Sequence, residues 1–180
     1  CIGTVEISLS DIFASLQGKT VKNARILWDI RMPRTLAAMI LGGGLALAGY
    51  LLQTFFHNPI AGPFVLGISS GAKMTVAVVM VFLTGKMIRI SSGMLIFAAF
   101  LGAMISMGFV LLMSTKVHNM SMLVVSGVMI GYICSAITEL IITFASDAEI
   151  VNLHNWSRGS FSGITWDNVR VMAFVTGVTF

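Results

Sequence analysis

The sequence predicts an all-α fold, a bundle of transmembrane helices. Of its 180 residues, 57% are hydrophobic and only 10% are charged, whereas about a quarter of a soluble domain is charged. It also contains several apolar runs close to the length of about 20 residues that crosses a hydrocarbon layer of about 30 Å. Glycine is frequent, as expected where membrane helices pack closely. Residues 1–180 are therefore predicted to form a single membrane domain, a fragment of a longer chain.

Four apolar runs are predicted to cross the membrane, and a fifth begins before the sequence stops. The four predicted transmembrane helices are residues 35–56, 64–85, 92–115 and 122–146, and residues 168–180 are the start of a further one. Residues 1–34 are predicted to be a surface segment before the first span. Short turns are predicted at 57–63, 85–91 and 116–121. The first of these turns contains Pro59 and Pro63, which must break the helix.

Residues 147–167 are too polar to span the membrane. They are predicted to contain a short helix capped by Asp147 and lying at the membrane interface. Trp156 and Trp166 would then sit at headgroup depth, where tryptophan is enriched.

Small residues recur at four-residue spacing inside the spans, which stacks them on one helix face and favours close helix packing. The pairs are Gly44 and Ala48, Gly67 and Gly71, Gly102 and Ser106, and Gly127 and Gly131. Cys134 lies in an apolar run, so it is predicted to be a small packing residue.

Several functional classes lack support. The net charge is +4, but the basic residues lie in short stretches between the spans, without the aromatic-interleaved face of a nucleic-acid binder. The Gly18–Thr20 stretch "GKT" is not a phosphate loop, because Phe13 occupies the position that requires glycine. The three histidines lie in separate loops and no pair has metal-ligand spacing, so no metal site is predicted.

The block "RMPRTLAAMILGGGLALAGYLLQTFFHNPIAGPFVLGISSGA" resembles the FecCD-type permease family, the membrane subunits of importers for iron-siderophores, haem and cobalamin. The matching residues are Arg31, Pro33, Arg34, Gly43, Ala46, Gly49, Gln53, Asn58, Pro59, Pro63, Leu66, Gly67, Gly71 and Ala72. A second block, "NWSRGSFSGITW", matches at Trp156, Gly159, Ser160, Gly163 and Trp166. The resemblance covers about residues 20–180 and implies a ten-span type II ABC importer permease, of which this fragment holds the second to fifth spans and the start of the sixth.

The resemblance implies that Arg31 and Arg34 face outside and dock acidic side chains of a substrate-binding protein. Arginine suits this role because its planar charged group pairs with carboxylates. The alternative is that both are interfacial arginines at a helix start. The excess of Lys and Arg in residues 19–34 would by itself place this segment in the cytoplasm. We follow the resemblance, which makes 1–34, 85–91 and 147–167 extracytoplasmic, the last of these as a gate, and 57–63 and 116–121 cytoplasmic.

Similar permeases close the inner end of the translocation path with residues at the positions of Asn58 and Ile60, and with two more at Met120 and Ser121. Small polar residues are usual at the second pair, so Met120 departs from the pattern. Asn58 is equally suited to capping a Pro-broken turn.

The run 122–146 resembles the family helix that lines the path between two permease copies, and it contains Glu139. A carboxyl group inside a span is costly and usually faces a cavity or a partner. Glu139 is therefore a translocation-path candidate. The equal alternative is a hydrogen-bonded packing residue, or a residue near enough to the outer surface to be wet.

The resemblance thus implies a transport subunit with no catalytic residues and no cofactor of its own. It would be a homodimer in the bilayer of the bacterial cytoplasmic (inner) membrane, without nucleic acid as a partner. A separate cytoplasmic ATP-binding subunit would hold ATP and Mg²⁺. The alternatives are a zinc or manganese importer permease and an ion-coupled secondary transporter. The latter predicts charged pairs within the membrane, for which only Glu139 and Lys73 are candidates. The substrate stays open.

Overall fold

All regular elements in the described part of the chain are helices, which confirms the predicted all-α class. The computed structural model describes residues 24–84, 91–117 and 119–180. The predictions for residues 1–23, residues 85–90 and His118 lie outside these ranges. The elements are a π-helical segment (Ile26–Arg31), α1 (Met32–Phe56), α2 (Ile68–Thr84), α3 (Ser92–Ser114), α4 (Met120–Thr143), α5 (Asp147–Arg158) and α6 (Trp166–Thr179).

The first long helix begins earlier than predicted, so residues 26–34 do not form a separate surface segment. The π-helical turn runs directly into α1, and the backbone N–H of Met32 donates to the carbonyl of Leu27, five residues back. Pro33 supplies the physical reason. Its ring has no N–H and would clash with the carbonyl four residues earlier in a regular helix, and a wider turn relieves that clash.

Three helical stretches are long and apolar enough to cross a membrane, counting only the residues that the structure describes: Ile26–Phe56, Ser92–Ser114 and Ser121–Thr143. The predicted span 64–85 is wrong at its start, because α2 begins only at Ile68 and has 17 residues. At 1.5 Å per residue it is about 25 Å long. Pro63 and Gly67, whose φ is +74°, keep residues 62–67 out of the helix.

The non-helical stretch before α2 is nevertheless packed inside the protein. Leu66 and Gly67 are both buried. A Cβ on Gly67 would lie 2.9 Å from the carbonyl oxygen of Gly127 and 2.8 Å from the backbone nitrogen of Gly131. The turn therefore presses against α4, seven to eleven residues beyond its first residue. Irregular backbone at membrane depth is tolerated where protein covers it in this way.

Three of the four predicted small-residue pairs lie where α2 and the turn before it contact α3 and α4; the fourth, Gly44 and Ala48, lies in α1. A Cβ on Gly71 would lie 2.6 Å from the carbonyl oxygen of Gly102 and would collide with the Ser106 hydroxyl. The hydroxyl of Thr75 donates across the same interface to the carbonyl of Ala98, at 2.7 Å. Cys134 is buried and its Sγ lies 3.8 Å from the Ser106 hydroxyl. Its predicted role as a packing residue is confirmed.

Helix α5 forms as predicted, but its cap differs. The N-cap is Ser146, not Asp147, in a capping box with Glu149. Along α5, Leu153 is buried in one cluster with Val76, Ala77 and Met80 of α2, and the end of α5 shares a cavity with Ser69 and Lys73 at the start of α2. The helix therefore runs antiparallel to α2, and its position at the membrane interface stays a prediction.

The described residues group into two compact units. One is Leu47–Gly159, which contains the end of α1, helices α2 to α5 and both hydrophobic clusters. The other combines the chain up to Ala46 with Ser160–Phe180. In the second unit, the indole N–H of Trp166 donates to the carbonyl of Trp28, and Thr176 of α6 lies against Gly44 of α1.

Candidate translocation and docking sites

The two predicted docking arginines flank a buried proline. Pro33 is among the fully buried side chains, whereas Arg34 is exposed and Arg31 is partly buried. The Arg31 carbonyl accepts a hydrogen bond from the Thr35 hydroxyl at 2.9 Å. Arg34 thus presents its charge at the surface of the unit, as docking requires. The docking role of both arginines stays a prediction.

Asn58 organises the turn predicted to be part of the inner gate. Its side-chain oxygen accepts from the backbone N–H of Ile60 at 2.9 Å, and its carbonyl accepts from Ala61. The Gln53 side chain donates to the carbonyl of Pro59 at 3.0 Å and ties the turn back to α1. Ile60 itself is 66% exposed. Two family-motif residues, Gln53 and Asn58, therefore fix the backbone that presents Ile60.

The second predicted gate pair stands at the start of α4. The Asn119 side chain accepts from the backbone N–H of Ser121 at 3.0 Å and caps the helix. Ser121 is exposed, and the Met120 side chain lies outside what the structure describes. Ala61, Leu123 and Val124 belong to one hydrophobic cluster. That cluster brings the Asn58 turn and the start of α4 into the same region, as a shared gate requires.

Glu139 lies on the exposed side of α4, four residues beyond Ser135. Among the described residues, its carboxylate takes part in no salt bridge. Exposure is compatible with the alternative of a residue near enough to the outer surface to be wet, and the role of Glu139 stays a prediction. A carboxylate on the outer face of a membrane helix needs water or a partner, so Glu139 remains a translocation-path candidate.

A cavity of about 550 Å³ opens between three elements of the larger unit. The start of α2 contributes Ser69, Ser70 and Lys73, and α4 contributes Ser135. The end of α5 contributes Trp156, Ser157, Arg158 and Gly159. Ser135 is eight residues before the end of α4, a distance of about 12 Å along the helix. The cavity therefore lies well inside the span of α4 and not at its end.

Two cations line this cavity. Lys73 is partly buried and Arg158 is exposed toward it. In the described part of the chain neither forms a salt bridge. The first turn of α2 also faces the cavity, and a helix N-terminus carries partial positive charge. The site is consequently electropositive, with serine hydroxyls between the charges.

Sequence reasoning identified Lys73 only as an isolated charge in a span and missed Arg158 and Ser135. The signal for Arg158 in the sequence was weak. Arg158 lies between Trp156 and Gly159 of the second family block, and it is the only Lys or Arg in residues 147–167. What the sequence did not show is that α5 folds back along α2, which brings Arg158 to Lys73.

A second cavity of about 350 Å³ shares Phe64, Ser70 and Ser135 with the first. It continues along α4 past Val128, Gly131 and Tyr132. The two together follow one side of α4 for about two turns. This arrangement fits the prediction that this helix lines a path.

The glycines of the second family block have a conformational role. Gly159 ends α5 with a φ of +69°, and Gly163 has a φ of +84°. Residues with a Cβ rarely adopt such values. Between them, the Ser160 hydroxyl accepts from the backbone N–H of Ser162 at 3.0 Å. These residues turn the chain from α5 to α6.

Comparison with known proteins gives a consistent result. The FecCD transport family model matches residues 1–180. The vitamin B12 import system permease protein BtuC of Shigella boydii serotype 18 is 33% identical over 166 residues, covering 92% of this chain and 48% of that protein. The Klebsiella pneumoniae BtuC protein is 36% identical over 154 residues, which cover 85% of this chain and 45% of that protein. The chain thus spans about half the length of the curated relatives it matches.

The fold comparison agrees with the sequence comparison. A solved structure, described as an inward-facing conformation of a metal-chelate type ABC transporter, superposes with a TM-score of 0.77 and 25% identity. The superposition covers 98% of this chain and 53% of the chain in that solved structure. Its helical architecture is therefore shared along nearly the whole chain.

Proposed function

Since this chain belongs to the FecCD transport family, we propose that it is part of the membrane permease subunit of an ATP-binding cassette importer. The observation that carries the proposal is the match of the family along all 180 residues, together with the shared fold. The relatives are permeases, not enzymes. The chain itself contributes a path through the membrane, and a separate ATP-binding subunit supplies the energy.

The geometry supports three parts of this function. Exposed Arg34, beside Arg31, offers positive charge to an acidic substrate-binding protein. The Asn58 turn and the capped start of α4 would close the inner end of the path. Cavities follow one side of α4, in the unit that also contains the Asn58 turn.

The substrate class that we propose is a metal chelate such as an iron-siderophore, haem or cobalamin. The relatives named above import vitamin B12, and the similar solved structure is described as a metal-chelate type transporter. Two copies would form the path between them. The exposed side of α4, with Tyr132 and Glu139, would face that path. The subunit would lie in the bacterial cytoplasmic membrane.

The decisive experiment reconstitutes the full-length permease with its ATP-binding subunit in proteoliposomes. We expect the substrate-binding protein to stimulate ATP hydrolysis and ATP-dependent uptake of an iron chelate or cobalamin. Charge reversal of both Arg31 and Arg34 to Glu should abolish that stimulation, because like charges repel the acidic partner.

Lys116→Glu is the matched control, since Lys116 is an exposed cation in the turn after α3, predicted to be cytoplasmic. It should leave stimulation within about twofold of wild type, as surface substitutions outside a contact usually have small effects. Normal stimulation of the double reversal would remove the arginines from the docking site. Uptake driven by an ion gradient without ATP would replace the importer with the secondary transporter.

A further inference from the structure

The cavity lined by Lys73 and Arg158 carries two positive charges. Its lining contains two cations and the hydroxyls of Ser69, Ser70, Ser135 and Ser157. Among the residues that the structure describes, none of those that line it carries a carboxylate. Lys73 is partly buried, and a cation that is withdrawn from water normally pairs with an anion. Here the residues that the structure describes provide no ion pair for either cation.

Glu139 is the acidic residue of α4 and does not neutralise this site. It lies four residues beyond Ser135, about one helical turn. It does not line the cavity, and no salt bridge joins it to Lys73 or Arg158. The first turn of α2, with its partial positive charge, and the last turn of α5, with its partial negative charge, both line the cavity and act in opposite directions. The two formal charges therefore make the cavity electropositive, counting the residues that the structure describes.

From this geometry we infer that the cavity is a subsite for anionic metal chelates, in which Lys73 and Arg158 bind the ligand oxygens of the passing cargo. This inference rests on the proposed function and narrows its substrate class. Arg158 offers several N–H donors for carboxylate or phenolate oxygens, and Lys73 offers a compact charge. The serine hydroxyls donate to the same oxygens, and the Trp156 ring provides an apolar wall.

The size and position of the cavity fit a chelate and not only a single small ion. A volume of about 550 Å³ lies in the usual range of small-molecule sites, about 300–1,000 Å³. The neighbouring cavity shares three lining residues with it and continues along α4. An anion held by Lys73 and Arg158 would thus lie on the route that the family function requires.

A binding assay tests the inference without ATP or a binding protein. The full-length permease with its ATP-binding subunit is placed in nanodiscs of neutral phosphatidylcholine. Binding of ⁵⁵Fe-labelled ferric citrate, an anionic chelate, is compared with that of an uncharged ferric trihydroxamate. We expect wild type to prefer ferric citrate. The variant Lys73→Gln/Arg158→Gln should lower that preference by about tenfold, because charge-assisted hydrogen bonds are lost.

Two controls separate charge from packing. Lys73→Arg/Arg158→Lys retains both charges and should keep the preference within about threefold of wild type. Lys116→Gln removes an exposed cation outside the cavity and should not change it. An equal preference in the Gln double variant, or no ferric citrate binding by wild type, would overturn the inference.

Anionic lipid is the other possible source of negative charge. If phosphatidylglycerol in the nanodisc abolishes ferric citrate binding by wild type at constant ionic strength, a lipid phosphate fills the cavity and the inference fails. The binding experiment and the transport experiment can fail separately, which distinguishes a failure of the subsite from a failure of the proposed function. Charge-dependent binding with no ATP-driven uptake in proteoliposomes would count against the importer alone.

Discussion

The indole N–H of Trp166 donates a 2.9 Å hydrogen bond to the backbone carbonyl of Trp28, 138 residues earlier in the chain. The bond joins the start of α6 to the π-helical segment Ile26–Arg31, which ends at one of the two predicted docking arginines. Both residues lie in the unit that combines the two ends of the chain. The second family block thereby supports the backbone near Arg31, a role that its sequence did not reveal.

Trp166→Phe should destabilise the full-length permease by about 1 kcal/mol, because it removes the donor while keeping most of the ring. Thermal unfolding in detergent, followed by tryptophan fluorescence, measures the change. Tyr132→Phe is the control, since Tyr132 is 71% exposed and also loses one polar group. Equal effects of the two variants would show that the Trp166 bond contributes nothing specific.

Gly71→Ala and Gly102→Ala should each destabilise the bundle by about 1–3 kcal/mol through overpacking. Each added Cβ would meet backbone of the facing helix, and the carbonyl of Gly102 would lie 2.6 Å from a Cβ on Gly71. The fraction of folded permease after heating in detergent is the measurement.

Gly108→Ala, on the same helix as Gly102, is expected to have the opposite effect on stability. Among the described residues, no atom beyond its chain neighbours and its own helix backbone lies within 4 Å of its would-be Cβ, so the substitution should stabilise by up to about 1 kcal/mol. Destabilisation at Gly108 comparable to that at Gly102 would refute close packing as the cause.

Leu153→Ala should loosen α5 from α2. Leu153 is 2% exposed and packs on Val76, Ala77 and Met80. Loss of a buried leucine side chain costs about 2–5 kcal/mol. Hydrogen exchange of the α5 amides should become faster, while exposed Val151→Ala leaves it near wild type. Unchanged exchange in Leu153→Ala would mean that other contacts hold the helix.

Asn58→Ala should weaken the turn before α2, because the N–H of Ile60 loses its 2.9 Å acceptor. A lost cap of this kind costs about 0.5–2 kcal/mol. If this turn helps to close the inner gate, proteoliposomes carrying the variant should leak preloaded chelate faster than wild type. Asn58→Asp retains an acceptor and should leak at about the wild-type rate. Slow leakage from Asn58→Ala would contradict the gate role.

Local sequence determined most of the secondary structure. The apolar runs located α1, α3 and α4, since hydropathy and length depend only on neighbouring residues. The prolines located the break after α1. The predicted start of the span 64–85 was wrong at Leu66 and Gly67. These residues form a non-helical turn that is buried against α4, and their apolar sequence is like that of the beginning of a span. The prediction failed also before α1, where Pro33 widens the preceding turn without ending the helix.

The family resemblance identified Arg31, Arg34 and the Asn58 turn, whose side-chain contacts are short-range in the chain. It did not show which side chains meet across helices. Arg158 and Lys73 are 85 residues apart and share a cavity only because Leu153 buries α5 against α2.

By itself, then, the sequence determined a membrane bundle of the FecCD type and the positions of its breaks and small-residue faces. Only the tertiary structure decided the direction of α5, the shortened α2, the bond between Trp28 and Trp166, and the electropositive cavity. The reason is physical. Helix formation and hydropathy are set by residues near in the chain, whereas cavities and charge clusters depend on the surfaces that packing brings together.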